Sequence, residues 1–330
     1  MQIFINTPGS YLHVKDEMFE IRQTKEGQEE KHQIAAHKVT TIVLPKSAAL
    51  STDAIHLALK FNIDIVVIHN NGHPAGRFWH SKLGSTTKIR KAQLEASLSE
   101  VGLHWVKDWI LKKIENQAEF LESLTKHRNT IVDYLRAQAD KIRSQGIKIS
   151  GLTGASTAEV ADTIRGLEGT AGRLYFEALN EAMPEAYKFS GRSSRPAKDP
   201  FNAFLNYAYG ILYSRIERAL MLAGVDPYVG FLHRDDYNQL SMVFDFIEPY
   251  RIHAETAVFR LFTSKKVNKS CTDEITNGYS LNDEGKKMLA EHFIDYLDNQ
   301  TIRHNGRNLS RMHAMQLDAH QFANKLIGKA

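Results

Sequence analysis

The hydrophobic pattern of the chain begins as one of strands. Over about the first 80 residues, short runs of alternating apolar and polar positions are separated by turn-forming residues, a pattern typical of β-structure. The predicted strands are Gln2–Asn6, Tyr11–Val14, Met18–Arg22, Val39–Leu44, Ile63–Ile68 and Gly76–His80, with turns at Pro8–Gly9, Lys25–Gly27 and Asn70–Gly72. One helix is expected at Thr52–Lys60, with Ser51 or Thr52 as its N-cap. This part is predicted to be a small β-rich domain.

From about Lys88 the period changes to that of helices. A mostly apolar stripe, which also includes Lys113 and Gln117, runs from Val106 to Leu124. Further helices are predicted at 157–180, at 199–224 with Asp199 as N-cap and Gly224 as the stop, and at 240–263, 281–297 and 306–327. Ser81–Thr87 is the predicted linker. The pattern therefore predicts an α+β protein, with a β-sandwich-like domain over residues 1–84 and a larger all-α domain over 88–330.

Composition narrows the class of protein. The chain has 330 residues, of which 42% are hydrophobic, so it is long enough to fill real cores. Its start lacks a signal-peptide pattern, no apolar run reaches the length of a membrane helix, and the single Cys271 excludes an internal disulfide. We therefore expect a soluble cytoplasmic protein without a membrane span. The net charge of +4 is only a weak indication of an anionic partner.

Glu168 is the most informative single residue. Helical spacing places it at the edge of an apolar stripe, and a carboxylate turned toward a core costs several kcal/mol unless a cation or hydrogen bonds compensate it. The flanking glycines Gly166, Gly169 and Gly172 would let a ligand or another segment approach the helix. The alternative is a half-exposed glutamate paired with Arg165 or Arg173, and the residue taken alone does not exclude it.

A second group of polar residues follows in the segment 230–251. His233 comes directly after an apolar Gly-Phe-Leu, and Asp245 and Glu248 are spaced to share one side of a helix that Pro249 would kink. A satisfied histidine and two solvent-facing carboxylates remain the alternative. Together with Glu168, however, one imidazole and several carboxylates suit Mn²⁺ or Mg²⁺ with open positions better than structural zinc.

At these residues the chain resembles the integrase of CRISPR adaptation, the first family of CRISPR-associated proteins. The matching stretches are RGLEGTAGRLYFEAL, KDPFNAFLNYAYGILYSRIERAL, GVDPYVGFLHR, LSMVFDFIEPYR and, in the N-terminal part, STDAIHLALKFNIDIVVIHNNGHPAGRF. The resemblance covers nearly the whole chain and keeps these motifs in order.

The resemblance implies a site and a reaction. Glu168, His233 and Glu248 would be ligands of Mg²⁺ or Mn²⁺, with Asp245 as an auxiliary catalytic acid nearby. The 3′-hydroxyl of a new spacer duplex would attack a phosphodiester at the edge of a CRISPR repeat, and water in its place would give endonuclease cleavage. The resemblance also implies homodimerisation through the N-terminal domain and a small CRISPR-associated adaptation partner that bridges two dimers.

Basic residues near these positions are candidates for DNA contacts. They are Arg165, Arg173, Arg192, Arg195, Arg234 and Arg251, with ion pairing to nearby acids such as Asp162, Glu177, Asp235 and Asp236 as the alternative. Two other functions remain open. The protein would be a stand-alone structure-selective nuclease if it cut DNA without joining it. It would be a non-enzymatic DNA-binding scaffold if its acidic residues formed only ion pairs.

Overall fold

Two units make up the chain, one over Met1–Gly84 and the other over Ser85–Ala330. The computed structural model describes residues 2–5, 7–25, 28–69, 74–78, 86–194, 196–233 and 239–329. Each unit buries its own apolar side chains. The predicted linker Ser81–Thr87 falls mostly outside these ranges, and its last two residues already belong to a helix.

In its described part, the first unit consists of two four-stranded sheets, one α-helix and a short 3₁₀ turn at Ala36–Lys38. These are β1 (Gln2–Phe4), β2 (Tyr11–Lys15), β3 (Met18–Lys25), β4 (Gln28–Ala35), β5 (Thr41–Pro45), β6 (Ala49–Leu50), α1 (Thr52–Lys60), β7 (Asp64–Ile68) and β8 (Pro74–Phe78). The sheets have the orders β1-β5-β7-β8 and β4-β3-β2-β6. Leu12 and Phe19 of the second sheet share a fully buried core with Ile42 and Ile65 of the first. The predicted sandwich-like domain is confirmed.

Strand β4 is an element that the hydrophobic pattern did not predict. Its sequence QEEKHQIA is polar because the strand lies at the edge of its sheet with most of its side chains exposed. All eight of its residues pair with β3, and those backbone hydrogen bonds do not require apolar side chains. The turns predicted at Lys25–Gly27 and Asn70–Gly72 lie, apart from Lys25, outside the described residues.

The second unit is mainly helical. Its helices are α2 (Thr86–Ser97), α3 (Glu100–Leu124), α4 (Val132–Ser150), α5 (Ala161–Glu181), α6 (Pro200–Ala223), α7 (Ser241–Phe246), α8 (Arg251–Thr263), α9 (Asp283–Asp298) and α10 (Arg311–Leu326). Helix α3 packs against α4, α5 and α8, while α6 packs against α8, α9 and α10. Within the described ranges, every helix is too short or too polar to cross a lipid bilayer.

Two β-hairpins correct the expectation that the second domain is all helical. Strands β9 (Thr272–Ile275) and β10 (Gly278–Leu281) form the first, and β11 (Thr301–His304) and β12 (Arg307–Ser310) form the second. The helix predicted over 306–327 therefore begins only at Arg311. An Asn-Gly pair at Asn305–Gly306, with φ of 46° and 78°, makes the tight turn that joins β11 to β12. The same dipeptide stands at Asn277–Gly278 in the first hairpin, so each hairpin contains an Asn-Gly pair as its sequence signal.

Helix α6 begins and ends where its sequence predicts. The Asp199 carboxylate accepts the N–H of Asn202 at 2.8 Å, Pro200 occupies the first turn, and Gly224 ends the helix with a φ of 82°. This helix carries Tyr209, which lines the cleft described below.

Replacing Asp199 by alanine is expected to lower the free energy of unfolding by about 1 to 2 kcal/mol, because the first-turn N–H groups lose their acceptor. Urea denaturation followed by far-UV circular dichroism measures this. Asp283→Ala is the control, since Asp283 is an exposed first-turn acid that does not cap α9; its change should stay within about 0.5 kcal/mol. An equal effect of the two substitutions would contradict the capping role of Asp199.

Candidate metal centre

Glu168 lies on α5 at the edge of the buried face of that helix, as its spacing predicts. Ile164 and Ala171 on either side of it are buried, whereas the Glu168 side chain is 24% exposed and faces a cleft. Gly169 and Gly172 line the same cleft, and an added Cβ at either position would meet no atom within 4 Å. The glycines therefore leave the cleft open beside the carboxylate.

Glu248 lies where the helix of the 240–263 segment is interrupted. Helix α7 ends at Phe246, Glu248–Tyr250 forms a single 3₁₀ turn, and α8 begins at Arg251, so the predicted break at Pro249 is present. The Asn116 side chain donates to the Pro249 carbonyl at 2.7 Å and fixes this turn against α3. As a result the Glu248 carboxylate points inward and is only 3% exposed.

Two cations surround the Glu248 carboxylate. Arg251 Nε donates to Oε1 at 2.9 Å, and Lys113 Nζ lies 2.6 Å from Oε2. Lys113 also donates to Oε1 of Glu168, so its ammonium group bridges the two glutamates. Burial raises the pKa of Glu248, but Arg251 and Lys113 outweigh that effect and lower the pKa to about 2. Glu248 is therefore ionised at neutral pH.

His233 is oriented by Asp245. Its Nδ1 lies 2.5 Å from Asp245 Oδ1, and the same carboxylate accepts the backbone N–H groups of Phe231, Leu232 and His233 at 2.5, 2.9 and 3.1 Å. The Asp245 carboxylate is therefore occupied by hydrogen bonds within the protein, while the His233 side chain is 33% exposed at the cleft. With Nδ1 bonded to a carboxylate, Nε2 is the ring nitrogen left to bind a metal.

A cleft of about 800 Å³ in the second unit brings the three predicted ligands together. Among its lining residues are Lys113, Gln117, Glu168, Gly169, Arg173, Tyr209, His233, Glu248, Arg251 and Glu255. In the described part of the chain, no three His, Cys, Asp or Glu side chains are yet close enough to enclose an ion. Instead, the ammonium of Lys113 lies between the two carboxylates. These groups are far apart in the sequence, because the lining comes from α3, α5, α6, α8, the 248–250 turn and two loops.

The residues present suit a divalent ion. Carboxylate oxygens and one imidazole are ligands that Mn²⁺ accepts and Mg²⁺ partly shares. Among the described residues, the buried Oε2 atom of Glu248 accepts no hydrogen bond and is contacted by the Lys113 ammonium group alone. The ammonium group of Lys113 occupies the space between Glu168 and Glu248, so the two carboxylates already accept a cation at this position.

The candidate arginines differ in how free they are. Arg165 donates to the Leu232 carbonyl at 2.6 Å and to Asp162, so it braces the turn that carries His233. Arg192 donates to Asn202 and Asn206, and Arg251 is committed to Glu248. Arg173 is 64% exposed at the cleft, with a long contact of 3.4 Å to Glu177. Arg195 and Arg234 lie outside the described residues. As DNA contacts, all six remain predictions.

Two polar groups of the site were not singled out from the sequence. Lys113 is the first, although its position inside a mostly apolar stripe of α3 was the available signal. Glu255 is the second: it is 1% exposed, lines the cleft and accepts a hydrogen bond from Tyr209 Oη at 2.7 Å. Burial raises the pKa of Glu255 above its ordinary value. Its apolar neighbours on α8 gave no hint of a cleft.

Close backbone approach at Gly230 supports the turn that carries His233. A Cβ on Gly230 would lie 2.6 Å from Ser241 Cβ and 3.1 Å from Asp245 Oδ2. Gly230→Ala is therefore expected to lower the free energy of unfolding by about 1 to 3 kcal/mol, because the new methyl group would overlap Ser241 and the backbone at one of the two positions must move. Thermal melting measures the effect, with Gly166→Ala as the control. An added Cβ at Gly166 would meet no atom within 4 Å, and alanine favours the helix more than glycine does. The control substitution should therefore be neutral or stabilising by about 0.5 to 1 kcal/mol. Equal melting of both variants would contradict this tight packing.

Comparisons with known proteins agree with this fold. A family model described as CRISPR associated protein Cas1 matches residues 3–295. A relative from Archaeoglobus fulgidus, named CRISPR-associated endonuclease Cas1 1, is 30% identical over 340 residues, covering 100% of this chain and 97% of its own. A solved casposase bound to integration product has a TM-score of 0.85 at 22% identity, covering 100% and 91% of the two chains. A solved Cas6-RT-Cas1–Cas2 complex has a TM-score of 0.78 at 19% identity, covering 99% of this chain and 35% of the chain in that complex.

The two structures share the fold: a β-rich N-terminal unit followed by a helical unit. The family model and the A. fulgidus relative go further, and on their basis the chain belongs to the Cas1 family of CRISPR-associated proteins.

Proposed function

We propose that this protein is a divalent-metal-dependent DNA endonuclease and integrase of CRISPR adaptation, acting in the cytoplasm. It would join the 3′-hydroxyl of a new spacer duplex to a phosphodiester at the edge of a repeat. The observation that carries the proposal is the convergence of Glu168, Glu248 and His233 on one open cleft. Membership of a family whose relatives are named endonucleases supports it.

The chain's own residues divide the work in this proposal. Glu168, Glu248 and His233 would hold Mg²⁺ or Mn²⁺, which when bound would neutralise phosphate charge and lower the pKa of the attacking hydroxyl. Asp245 keeps the His233 ring in one orientation and one tautomer. Arg251 keeps Glu248 ionised and in place. Exposed Arg173 at the rim is suited to a phosphate of the DNA backbone.

Partners follow from the same proposal. DNA would be bound as the new spacer duplex and as the CRISPR repeat. A homodimer formed through the first unit, together with a small adaptation partner bridging two dimers, would hold both ends of the spacer. The Cas1–Cas2 assembly named for one structural neighbour supports such a partner.

A strand-transfer assay tests the proposal. Purified protein, with and without the small partner, is mixed with a labelled duplex bearing free 3′ ends and a supercoiled plasmid carrying a repeat. Mg²⁺, Mn²⁺ and EDTA are compared, alongside Glu168→Ala and His233→Ala. We expect label to join the plasmid only with metal, and neither variant to support joining.

Other outcomes would favour the alternative functions. Metal-dependent cutting without joining would indicate a stand-alone structure-selective nuclease. DNA binding that persists in both variants, with no metal-dependent reaction by the unaltered protein, would indicate a non-enzymatic scaffold.

A further inference from the structure

A lysine lies between the two carboxylates that a divalent ion would have to share. We propose that Lys113 is an internal counter-cation of this centre: its ammonium group holds Glu168 and Glu248 together before metal binds, and the divalent ion displaces it. The proposal rests on the metal centre proposed above and concerns the state of the protein before that centre is filled.

The charges around Glu248 require such a group. Glu168 and Glu248 both carry carboxylates into the cleft, and among the described acidic side chains Arg251 forms an ion pair with Glu248 alone. Lys113 brings the sum of these four side chains to zero, and it contacts both carboxylates at once. Without Lys113, the two negatively charged carboxylates would face each other with Arg251 as their one cation, and the Glu248 carboxylate is only 3% exposed.

Of the two cations, Lys113 is the one whose side chain can move away from the carboxylates. The Arg251 guanidinium is fixed over the rings of Tyr209 and Tyr213, at 5.0 and 5.6 Å from their centroids, as well as by Glu248. Lysine instead ends in a point charge on a flexible stem, without the planar fork that fixes arginine. Its side chain also borders the open cleft, which gives the ammonium group somewhere to go.

This exchange has an unusual consequence for metal affinity. An ion entering between Glu168 and Glu248 must first break the contacts of Lys113, so the ammonium group weakens metal binding. Removing it should therefore tighten metal binding while destabilising the metal-free protein. A residue that merely shapes the centre would act in the opposite direction, since its removal would loosen the ligands and weaken binding.

The test measures Mn²⁺ binding and metal-free stability, with no DNA present. Isothermal titration with Mn²⁺ and thermal melting in EDTA are compared for the unaltered protein, Lys113→Met and Lys113→Arg. Lys112→Met is the matched control, because it removes one positive charge from the neighbouring, exposed position of α3. Glu168→Ala identifies the Mn²⁺ that binds at this centre.

For Lys113→Met we expect about tenfold tighter Mn²⁺ binding and a melting temperature in EDTA at least about 4 °C below that of Lys112→Met. Lys113→Arg should bind Mn²⁺ no more tightly than the unaltered protein, because a guanidinium can pair with both carboxylates at once. It keeps the proposal testable if Lys113→Met does not fold, since tighter binding by Lys113→Arg would contradict it.

Equal or weaker Mn²⁺ binding by Lys113→Met would overturn the counter-cation proposal while leaving the metal centre intact. If the unaltered protein bound no Mn²⁺ that Glu168→Ala removes, the metal centre itself would fail, and the exchange with it. The two failures are therefore distinguished within one titration series.

Discussion

Replacing Glu248 by glutamine is expected to lower both strand transfer and DNA cleavage by at least about 100-fold at saturating Mg²⁺ or Mn²⁺. Substituting a residue that hydrogen-bonds to a metal ligand typically lowers metal affinity or activity by about 10- to 100-fold. Substituting a ligand itself should lower the activity further. Glutamine keeps the volume of the side chain and removes only its charge, which Arg251 and Lys113 surround. Because the pKa of Glu248 is about 2, the effect should be the same throughout the neutral pH range. Initial rates with a labelled duplex measure it.

Glu181→Gln is the matched control for this substitution. Glu181 lies at the end of α5 and is 47% exposed, and its one ion pair with a described residue is a long contact of 3.8 Å to Lys188. Its removal should change the rates by less than about threefold, as is usual for surface changes away from a site. A Glu248→Gln protein that folds and keeps more than about a tenth of the normal rate would rule out Glu248 as a required ligand.

Replacing Asp245 by alanine should damage stability and activity together. Three backbone N–H groups and the His233 ring lose their acceptor, and unpartnered buried groups of this kind cost about 1 to 3 kcal/mol each. We expect a loss of about 3 kcal/mol or more, which lowers the melting temperature by roughly 6 to 12 °C for a unit of this size. Strand transfer should fall by about 10- to 100-fold even well below the melting range, because His233 is no longer oriented.

His233→Ala separates these two effects. It removes the imidazole but keeps every backbone N–H bonded to Asp245, so it should abolish activity with a melting temperature close to normal. Differential scanning calorimetry and the strand-transfer assay, run on the same preparations, compare the two variants. If Asp245→Ala melts and reacts like the unaltered protein, the carboxylate does not support the His233 turn.

Features of single helices and strands were predicted correctly where the interactions that produce them lie within the same segment. The N-caps Ser51 and Asp199, the stop at Gly224 and the break at Pro249 all result from interactions within one or two turns of the same segment. They were therefore readable directly. Strand β4 was not, because its partner β3 supplies the hydrogen bonds that make a polar segment extended.

The candidate ligands were predicted from a resemblance, and their surroundings were not. Helical spacing put Asp245 and Glu248 on one side of a helix, yet Asp245 bonds to the turn at 231–233 while Glu248 points into the cleft. Both carboxylates also border one small space beside Val106 and Trp109, as their spacing predicts. Their bonding partners come from other segments, and spacing along one helix does not encode those.

By itself, the sequence determined the change from β-structure to helices, the start and end of helix α6, and the residue types suited to a metal-dependent reaction on DNA. Only the tertiary structure decided that Lys113, 55 residues before Glu168, bridges it to Glu248. The same holds for the arginines, whose partners include Leu232, Asn202 and Tyr209. Caps and periodicity depend on neighbours along the chain, whereas charge compensation in a cleft depends on how α3, α5 and the 248–250 turn pack, and no local pattern encodes that packing.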